Sequence, residues 1–187
     1  MSIFLFTPKR HSDERGWFAE VYKATTWGQL DLPTGFVQDN QSLSHRAGTV
    51  RGLHFQVPPR PQIKLVRCVR GRLFDVAVDV RRGSPTYGAF VCAELSETGG
   101  EQLYIPIGFA HGFMTLEPGS EVAYKVSDYY SPECDSGICW SDPDLGVPWP
   151  MATSEALVSP KDAGLPLLKD FESPFAYDGR PLELIRI

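Results

Sequence analysis

The chain lacks a long apolar run, a strong positive charge and an export signal. Its 18 lysines and arginines stand against 23 aspartates and glutamates, a formal net charge of −5, which excludes the broad positive field of a nucleic-acid-binding protein. No stretch approaches the roughly 20 apolar residues of a membrane span, and the opening MSIFLFTPKR does not have the layout of a signal peptide. We therefore expect a cytoplasmic protein that binds neither nucleic acid nor a membrane.

Cysteine is scarce and unpatterned. The four cysteines are Cys68, Cys92, Cys134 and Cys139. They form no CxxC pair and share no zinc spacing with a histidine, which argues against a structural metal centre. Because no export signal is present, free thiols in a reducing compartment are expected rather than disulfides.

Turn-forming residues, in contrast, are plentiful. The 17 glycines and 16 prolines separate short runs rich in β-branched and aromatic residues. This spacing predicts an antiparallel sandwich or barrel, with a jelly roll as the natural candidate, in one domain over residues 1–187. From about residue 150 the alternation stops, and we expect an arm that packs across the body. The predicted strands are Ile3–Thr7, Gly16–Tyr22, Phe36–Ser44, Thr49–Gln56, Ile63–Arg70, Arg72–Val80, Ala89–Leu95, Gln102–Ile105, Gly112–Leu116 and Glu121–Val126, and the predicted short helices are Ala24–Leu30 and Pro160–Gly164.

The segment from Gln38 to Lys64 carries the densest group of reactive side chains. It contains Arg51, His54, Gln56, Gln62 and Lys64. Histidine, lysine and arginine together suit proton transfer beside a developing anion, and arginine also suits phosphate. The alternative is a basic loop on a solvated face. Apolar neighbours argue against that alternative because they place the polar groups on the other face of buried strands; they are Val50, Leu53, Phe55, Leu65 and Val66.

Ten motifs follow one another along nearly the whole chain. They are DERGWFAE (13–20), FVQDN (36–40), RGLHFQ (51–56), QIKLV (62–66), FDVAVD (74–79), GSPTYG (83–88), PIGFAHGF (106–113), YKVSDYY (124–130), WSDP (140–143) and SPKD (159–162). In this order they resemble the dTDP-4-dehydrorhamnose 3,5-epimerase family of sugar-nucleotide enzymes. The resemblance implies an all-β, cupin-type antiparallel jelly roll with a few short helices, and a homodimer. It also implies an isomerase that epimerises C3 and C5 of dTDP-4-dehydro-6-deoxy-D-glucose, giving dTDP-4-dehydro-L-rhamnose.

Such a reaction needs acid–base chemistry alone. The C–H bonds at C3 and C5 are acidic because the carbanion delocalises onto the C4 ketone oxygen. A base on one face, a proton donor on the other and a cation at the oxygen suffice, so no cofactor is expected. A metal is not expected either: the positions two before and two after His54 are Gly52 and Gln56, and His111 alone remains as a distant partner.

The family motif selects four candidate catalytic residues. His54 is the predicted base, since imidazole titrates near neutrality, although a structural histidine in a sheet is the alternative. Asp162 resembles the family's carboxylate that orients this histidine; a helix N-terminal acid is the alternative. Tyr124 is the implied proton donor, needing neighbouring cations to lower its pKa, and only the resemblance favours it over nearby tyrosines. Lys64 is the predicted cation at the enolate oxygen.

Eight further residues are implied in substrate binding. Arg51 is expected at the diphosphate or a sugar hydroxyl, Gln38 and Asn40 at the sugar or base, and Tyr130 in a stacking contact near the nucleotide. His111 is expected near the pocket. Arg15, Phe18 and Glu20 lie in an N-terminal segment that, in the family, reaches the nucleotide site of the partner subunit.

Four other functions stay open at this point. One is a C3-only epimerase of a related 4-keto-6-deoxy sugar nucleotide, and another is a 3,4-ketoisomerase. A non-catalytic sugar-nucleotide-binding cupin is the third, and a metal-dependent dioxygenase or isomerase of the same fold is the fourth.

Overall fold

β-Strands account for most of the regular structure in the computed structural model, which describes residues 2–30 and 32–187. The strands of these residues are β1 Ile3–Phe6, β2 Arg10–Asp13, β3 Gly16–Ala19, β4 Gln38–Ser44, β5 Val50–Gln56, β6 Lys64–Arg70, β7 Arg72–Asp79, β8 Phe90–Ser96, β9 Gln102–Ile105, β10 Phe109–Thr115, β11 Ser120–Val126, β12 Asp135–Gly137 and β13 Leu184–Arg186. Two short helices, α1 Ala24–Gly28 and α2 Pro160–Ala163, and 3₁₀ turns at Thr153–Glu155 and Leu168–Asp170 complete them.

Two packed sheets form the body, which is the expected jelly roll. One sheet has the order β13-β1-β9-β6-β11-β4 and the other the order β12-β5-β10-β7-β8, while β2 and β3 form a separate hairpin. All neighbours are antiparallel except β13, which runs parallel to β1 at the sheet edge. In the part of the chain that is described, no helix is long and apolar enough to span a bilayer.

The ten predicted strands and two predicted helices all have counterparts; Gln102–Ile105 matches β9 at both ends, and the others have at least one shifted end. Strands β2, β12 and β13 were not predicted. β2 consists of polar residues on an exposed hairpin, and β12 and β13 have only three residues each, so neither an apolar alternation nor sufficient length marks them.

The space between the sheets is a hydrophobic core that stops before one end. Leu73, Ala77, Phe109 and Phe113 of the five-stranded sheet meet Val66, Leu103, Ile105 and Val122 of the six-stranded sheet. Burying such side chains contributes about 1.5–3 kcal/mol each. The same inner faces also carry the polar residues Lys64, Asp75, His111 and Tyr124, and the site is built around them.

The arm after β12 covers the outer face of the five-stranded sheet. Ile138, Trp140, Leu168 and Phe175 pack against the outward side chains of β5, β7 and β10. Leu168 and Phe175 thus pack residues of the chain beyond 150 onto this outer face. The arm also delivers α2 to β5, and α2 carries Asp162.

A bulge in β5 decides which of its side chains face inward. His54 lies opposite His111 of β10, and Arg51 lies opposite Phe113, so β5 contains one residue more than β10 between these two pairs. Gly52 occupies the bulge with a φ of 131°, and a Cβ there would lie 2.5 Å from the Gly112 Cα. The extra residue lets Arg51 and His54 share one face although their spacing is odd.

Candidate active site

A cleft opens between the sheets where the apolar core ends. It has two compartments of about 460 and 360 Å³ that share His54, Lys64 and Tyr124. The first is also lined by Ser42, Thr49, Val50, Arg51, His111, Phe113, Leu157, Val158, Ser159 and Asp162. The second is also lined by Gln38, Asn40, Phe55, Gln56, Gln62, Tyr130, Asp135 and Lys161.

A second hollow, of about 510 Å³, lies against the outer face of the six-stranded sheet. Its lining residues include no histidine, and its Lys125 and Asp39 side chains form an ion pair at 2.9 Å. The cleft is therefore the better candidate for acid–base chemistry.

The His54 imidazole is held by a buried carboxylate. His54 Nε2 lies 2.7 Å from Asp162 Oδ1, and Asp162 Oδ2 accepts the Gly52 N–H at 3.2 Å. Burial raises the Asp162 pKa, but the hydrogen bonds and charge of His54, with those from Gly52 and Ser159, outweigh burial and lower it overall. Because an ionised carboxylate only accepts, Nε2 carries the proton and Nδ1 keeps the lone pair of a base.

Ser159 explains why Asp162 sits at this place. It caps α2, accepting the Asp162 N–H at 3.1 Å, and Pro160 follows at the first helical position. The SPKD motif is therefore a helix start, as the structural alternative held, and the same start presents a carboxylate to His54.

Lys64 places an ammonium group beside the base. Its Nζ donates to the His54 carbonyl oxygen at 3.0 Å, and the residue is only 9% exposed. Burial lowers the Lys64 pKa to about 8, against the charges of Asp75 and Asp135, which raise it. Lys64 is thus a cation at neutral pH that loses its proton slightly above it.

A second histidine–carboxylate pair borders the same compartment. His111 Nε2 lies 2.9 Å from Asp75 Oδ1, and both residues are buried. Burial lowers the His111 pKa, although Asp75 opposes it. His111 is therefore a neutral hydrogen-bonding group. Within the described residues, Asp75 Oδ2 has no hydrogen-bond partner, so this buried charge acts on Lys64 through space.

The Tyr124 phenol lies on β11, in the sheet opposite His54. Burial raises its pKa, Arg51 lowers it and Asp135 raises it, with a net rise. In the free protein, desolvation therefore outweighs the Arg51 charge, the one cation that lowers the Tyr124 pKa. A protonated Tyr124 is nonetheless the state that a proton donor requires.

Polar groups at the rim are fixed by contacts with their neighbours. The Arg51 guanidinium donates to Ser44 Oγ at 3.3 Å and to the Leu43 carbonyl at 3.1 Å. The Gln38 amide donates to Asn40 Oδ1 at 2.8 Å and accepts the Tyr130 N–H at 3.1 Å. These contacts hold a cation at the first compartment, and two amides and an aromatic ring at the second.

Nine of the twelve predicted site residues line this cleft: His54, Tyr124, Asp162, Lys64, Arg51, His111, Gln38, Asn40 and Tyr130. Arg15, Phe18 and Glu20 do not. Arg15 lies at the turn of the β2–β3 hairpin, exposed and paired with Asp13 at 2.6 Å, and Phe18 is 71% exposed. Within the single chain, the β2–β3 hairpin and the residue that follows it keep these three side chains away from the cleft.

Two cleft residues were missed by sequence reasoning. Lys161 directly precedes Asp162, and its place in SPKD was the signal available. Asp135 lies in the three-residue strand β12, opposite Gln56 of β5, and no periodicity pointed to it. The Gln56 side-chain amide, by contrast, donates to the carbonyl oxygens of Arg60 and Tyr129 and accepts the Ser131 N–H. Gln56 therefore fixes the backbone around these residues.

The assembled groups can move a proton on and off carbon. The oriented imidazole and the neutral His111 lie on the five-stranded sheet, and the protonated phenol and the Lys64 ammonium lie on the six-stranded sheet that faces it. Among residues 2–30 and 32–187, no group of three or more histidine, cysteine and acidic side chains is arranged to hold a metal ion.

Comparisons with known proteins agree on one family. Residues 1–170 match the family model described as dTDP-4-dehydrorhamnose 3,5-epimerase. The chain is 52% identical over 175 residues to the dTDP-4-dehydrorhamnose 3,5-epimerase of Sinorhizobium fredii, covering 94% of this chain and 89% of that protein. It is 43% identical, with a TM-score of 0.87 and 92% coverage of each chain, to a Legionella pneumophila dTDP-6-deoxy-D-glucose-3,5-epimerase solved with dTDP-4-keto-L-rhamnose. A 3'-monoepimerase of Streptomyces bikiniensis, solved with dTDP-quinovose, is 34% identical with a TM-score of 0.81, covering 89% of this chain and 84% of its own.

Proposed function

Because the chain belongs to the dTDP-4-dehydrorhamnose 3,5-epimerase family, we propose that it is an isomerase acting on dTDP-4-dehydro-6-deoxy-D-glucose. It inverts C3 and C5 to give dTDP-4-dehydro-L-rhamnose, a step of dTDP-rhamnose biosynthesis. The observation that carries this proposal is the His54–Asp162 pair, at 2.7 Å, in one cleft with Tyr124 and Lys64.

Each inversion proceeds by loss and return of one proton. His54 Nδ1 removes the C3 or C5 proton, and the electron pair of that bond moves onto the C4 oxygen. The Lys64 ammonium stabilises the enolate, and Asp162 stabilises the imidazolium. The Tyr124 O–H then delivers a proton to the opposite face of the carbon, and solvent restores both groups. The sum is an inversion without oxidation, so the chemistry uses no cofactor.

The remaining cleft residues suit the nucleotide and the sugar. Arg51 offers a fork for the diphosphate or a sugar hydroxyl, Gln38 and Asn40 offer amides, and Tyr130 offers a ring for stacking. His111, kept neutral by burial, donates its Nε2 proton to Asp75, so its Nδ1 is an acceptor for a substrate hydroxyl. These assignments rest on position in the cleft and on family resemblance.

The exposed β2–β3 hairpin supports a homodimer as the working form. Arg15, Phe18 and Glu20 lie away from the cleft of their own chain, and Trp17 and Phe18 are 56% and 71% exposed. A hairpin of this kind gains burial when it packs on a partner. We place the protein in the cytoplasm, where sugar nucleotides are made, with no nucleic-acid or membrane partner.

Incubation with dTDP-4-dehydro-6-deoxy-D-glucose in heavy water, followed by NMR, tests the proposal. Deuterium is expected at both C3 and C5. Label at C3 alone identifies a C3-only epimerase. We consider this alternative because the chain is similar to the Streptomyces bikiniensis 3'-monoepimerase. Absence of any label, with nucleotide binding intact, leaves a non-catalytic binding protein.

A further inference from the structure

Asp135 occupies the cleft without a part in the proton transfers described above. Its side chain is 12% exposed, and its Oδ2 atom accepts from the Lys161 ammonium and, at 2.9 Å, from the Tyr130 hydroxyl. One carboxylate oxygen therefore connects the 130–135 loop to α2 across the 360 Å³ compartment. Lys161 is the residue before the carboxylate that orients His54.

The electrostatic reach of Asp135 covers the whole compartment. Hydrogen bonding to Asp135 is the main cause that raises the Tyr130 pKa and the Lys161 pKa. The same carboxylate raises the pKa of Tyr124 and opposes the fall in the Lys64 pKa. A negative charge at this place repels an anionic ligand. It also pairs with Lys161, a lysine of the compartment whose side chain is 56% exposed.

We propose that Asp135 is a positioning residue that exchanges partners when substrate binds. In the free protein it holds Lys161 and Tyr130 together; a diphosphate then takes Lys161 from it, and Asp135 keeps its hydrogen bond to the Tyr130 hydroxyl. The inference rests on the proposed function in one respect, that the ligand carries a diphosphate. The exchange is electrostatically reasonable because a partly exposed Lys–Asp pair is weak, whereas a diphosphate offers more charge and more acceptor oxygens.

Pyrophosphate is the probe that isolates this exchange, because it carries the anionic oxygens without sugar or base. Its dissociation constant is measured by calorimetry for the wild type, Asp135→Asn and Glu121→Gln. Glu121 is a matched control: it is 21% exposed, pairs with Arg70 at 2.9 Å and also accepts from Gln41, on the outer side of the six-stranded sheet. We expect Asp135→Asn to bind pyrophosphate about two- to fivefold more tightly, the range of an exposed ion pair, and Glu121→Gln to bind as the wild type does.

A double-mutant cycle separates exchange from simple repulsion. With Lys161→Gln as background, the gain from Asp135→Asn is expected to fall to less than half. A gain that persists in full means that Asp135 repels the ligand without holding Lys161, and equal or weaker pyrophosphate binding by Asp135→Asn means that no exchange occurs. Either result overturns the proposal.

The wild type supplies a measurement that does not depend on a variant folding. The NMR signal of the Lys161 ammonium group, assigned by its loss in Lys161→Gln, is expected to shift on addition of pyrophosphate; an unmoved signal contradicts the exchange. Epimerisation and dTDP binding by the wild type are followed in parallel. Their absence refutes the proposed function alone, while normal epimerisation without the pyrophosphate effects refutes the exchange alone.

Discussion

At the residue scale, the His54–Asp162 contact shows how a structural feature and a chemical one coincide. Asp162 is a buried acid in the first turn of α2, where the Ser159 cap fixes its backbone. Its two carboxylate oxygens bind His54 and the Gly52 N–H. The carboxylate therefore sets the tautomer of the imidazole and also ties α2 to the bulge of β5.

Replacing either member of this pair should remove turnover with little effect on binding. His54→Ala deletes the base, and we expect kcat to fall by about 10²–10⁴-fold. Asp162→Asn should lower kcat by a similar or larger factor because its amide allows the wrong tautomer. Steady-state kinetics and dTDP calorimetry measure the two effects separately. Unchanged kcat in His54→Ala excludes His54 as the base.

Asp142→Asn is the matched control. Asp142 is buried and accepts backbone N–H groups of Asp144 and Leu168, outside the cleft. It should lower the free energy of unfolding while leaving kcat near the wild-type value.

Lys64 predicts an alkaline limit to activity. Its pKa of about 8 in the free protein means that the ammonium loses its proton as pH rises through 8, so kcat/KM should fall there. Asp75→Asn removes a charge that raises this pKa, so the alkaline fall in activity should move to lower pH. The exposed Glu94→Gln should leave it in place. Rates measured from about pH 6 to pH 10 test this prediction. If the alkaline fall in activity stays at the same pH in Asp75→Asn, Lys64 is excluded as its origin.

Lys64 also predicts a pH dependence of stability that is opposite to that of activity: stability rises with pH where activity falls. Between about pH 8 and the ordinary value of 10.5 the folded protein holds fewer protons at Lys64 than the unfolded chain does. The contribution of Lys64 to the free energy of unfolding therefore rises with pH across that window. Urea unfolding of the wild type and Lys64→Met should diverge accordingly, and parallel pH curves would count against the lowered pKa.

At the element scale, the bulge in β5 is where sequence reasoning reached its limit. The apolar residues Val50, Leu53 and Phe55 were correctly assigned to a covered face. Strict alternation, however, puts Arg51 and His54 on opposite faces, and no periodicity reveals that an extra residue at Gly52 brings them together. The assignment of Val66 to the face away from the polar groups was wrong for another reason: it lies two residues from Lys64, so regular alternation already puts it on the inner face that carries Lys64.

The bulge should be intolerant of a side chain. Gly52→Ala places a Cβ 2.5 Å from the Gly112 Cα, at a φ of 131°. Gly16→Ala is the matched control, because Gly16 has a φ of 132° and a Cβ added there would have no neighbouring atom within 4 Å. Both variants bear the conformational cost, but Gly52→Ala should lose at least about 1 kcal/mol more through the contact. Denaturant unfolding measures the difference; equal losses would show that the strands adjust freely.

Other parts of the site were predictable for reasons that differ between elements. Long strands such as β6 and β11 have a recognisable β-rich pattern, and it located Lys64 and Tyr124 with them. Asp135 was not predictable, because three residues carry no pattern. Tyr124 could be chosen over Tyr129 and Tyr130 through family resemblance alone, since the strand pattern treats a tyrosine as a half-buried aromatic.

At the scale of the whole molecule, Arg15, Phe18 and Glu20 are the part of the predicted site that the chain does not bring to its own cleft. Arg15 and Phe18 are exposed and Glu20 lies beyond β3. A homodimer in which each hairpin reaches the other cleft accounts for this exposure. Sedimentation at monomer mass across micromolar concentrations would contradict it.

Mixed dimers test the exchange of hairpins directly. His54→Ala subunits and Arg15→Ala/Glu20→Ala subunits are each expected to be weakly active. When both are mixed after dissociation, random pairing should restore about a quarter of wild-type activity, because one cleft in each mixed dimer is complete. No recovery means that the hairpin serves its own chain, or serves no cleft.

The extra residue in β5 also bears on redesign. An engineer who regularised that strand by deleting one position would improve its hydrogen-bond ladder and keep both sheets. Arg51 would then point away from the cleft while His54 stayed in it. The redesigned protein would have a more regular strand but would bind its substrate more weakly. In this chain the β5 bulge is therefore a feature that a redesign has to keep.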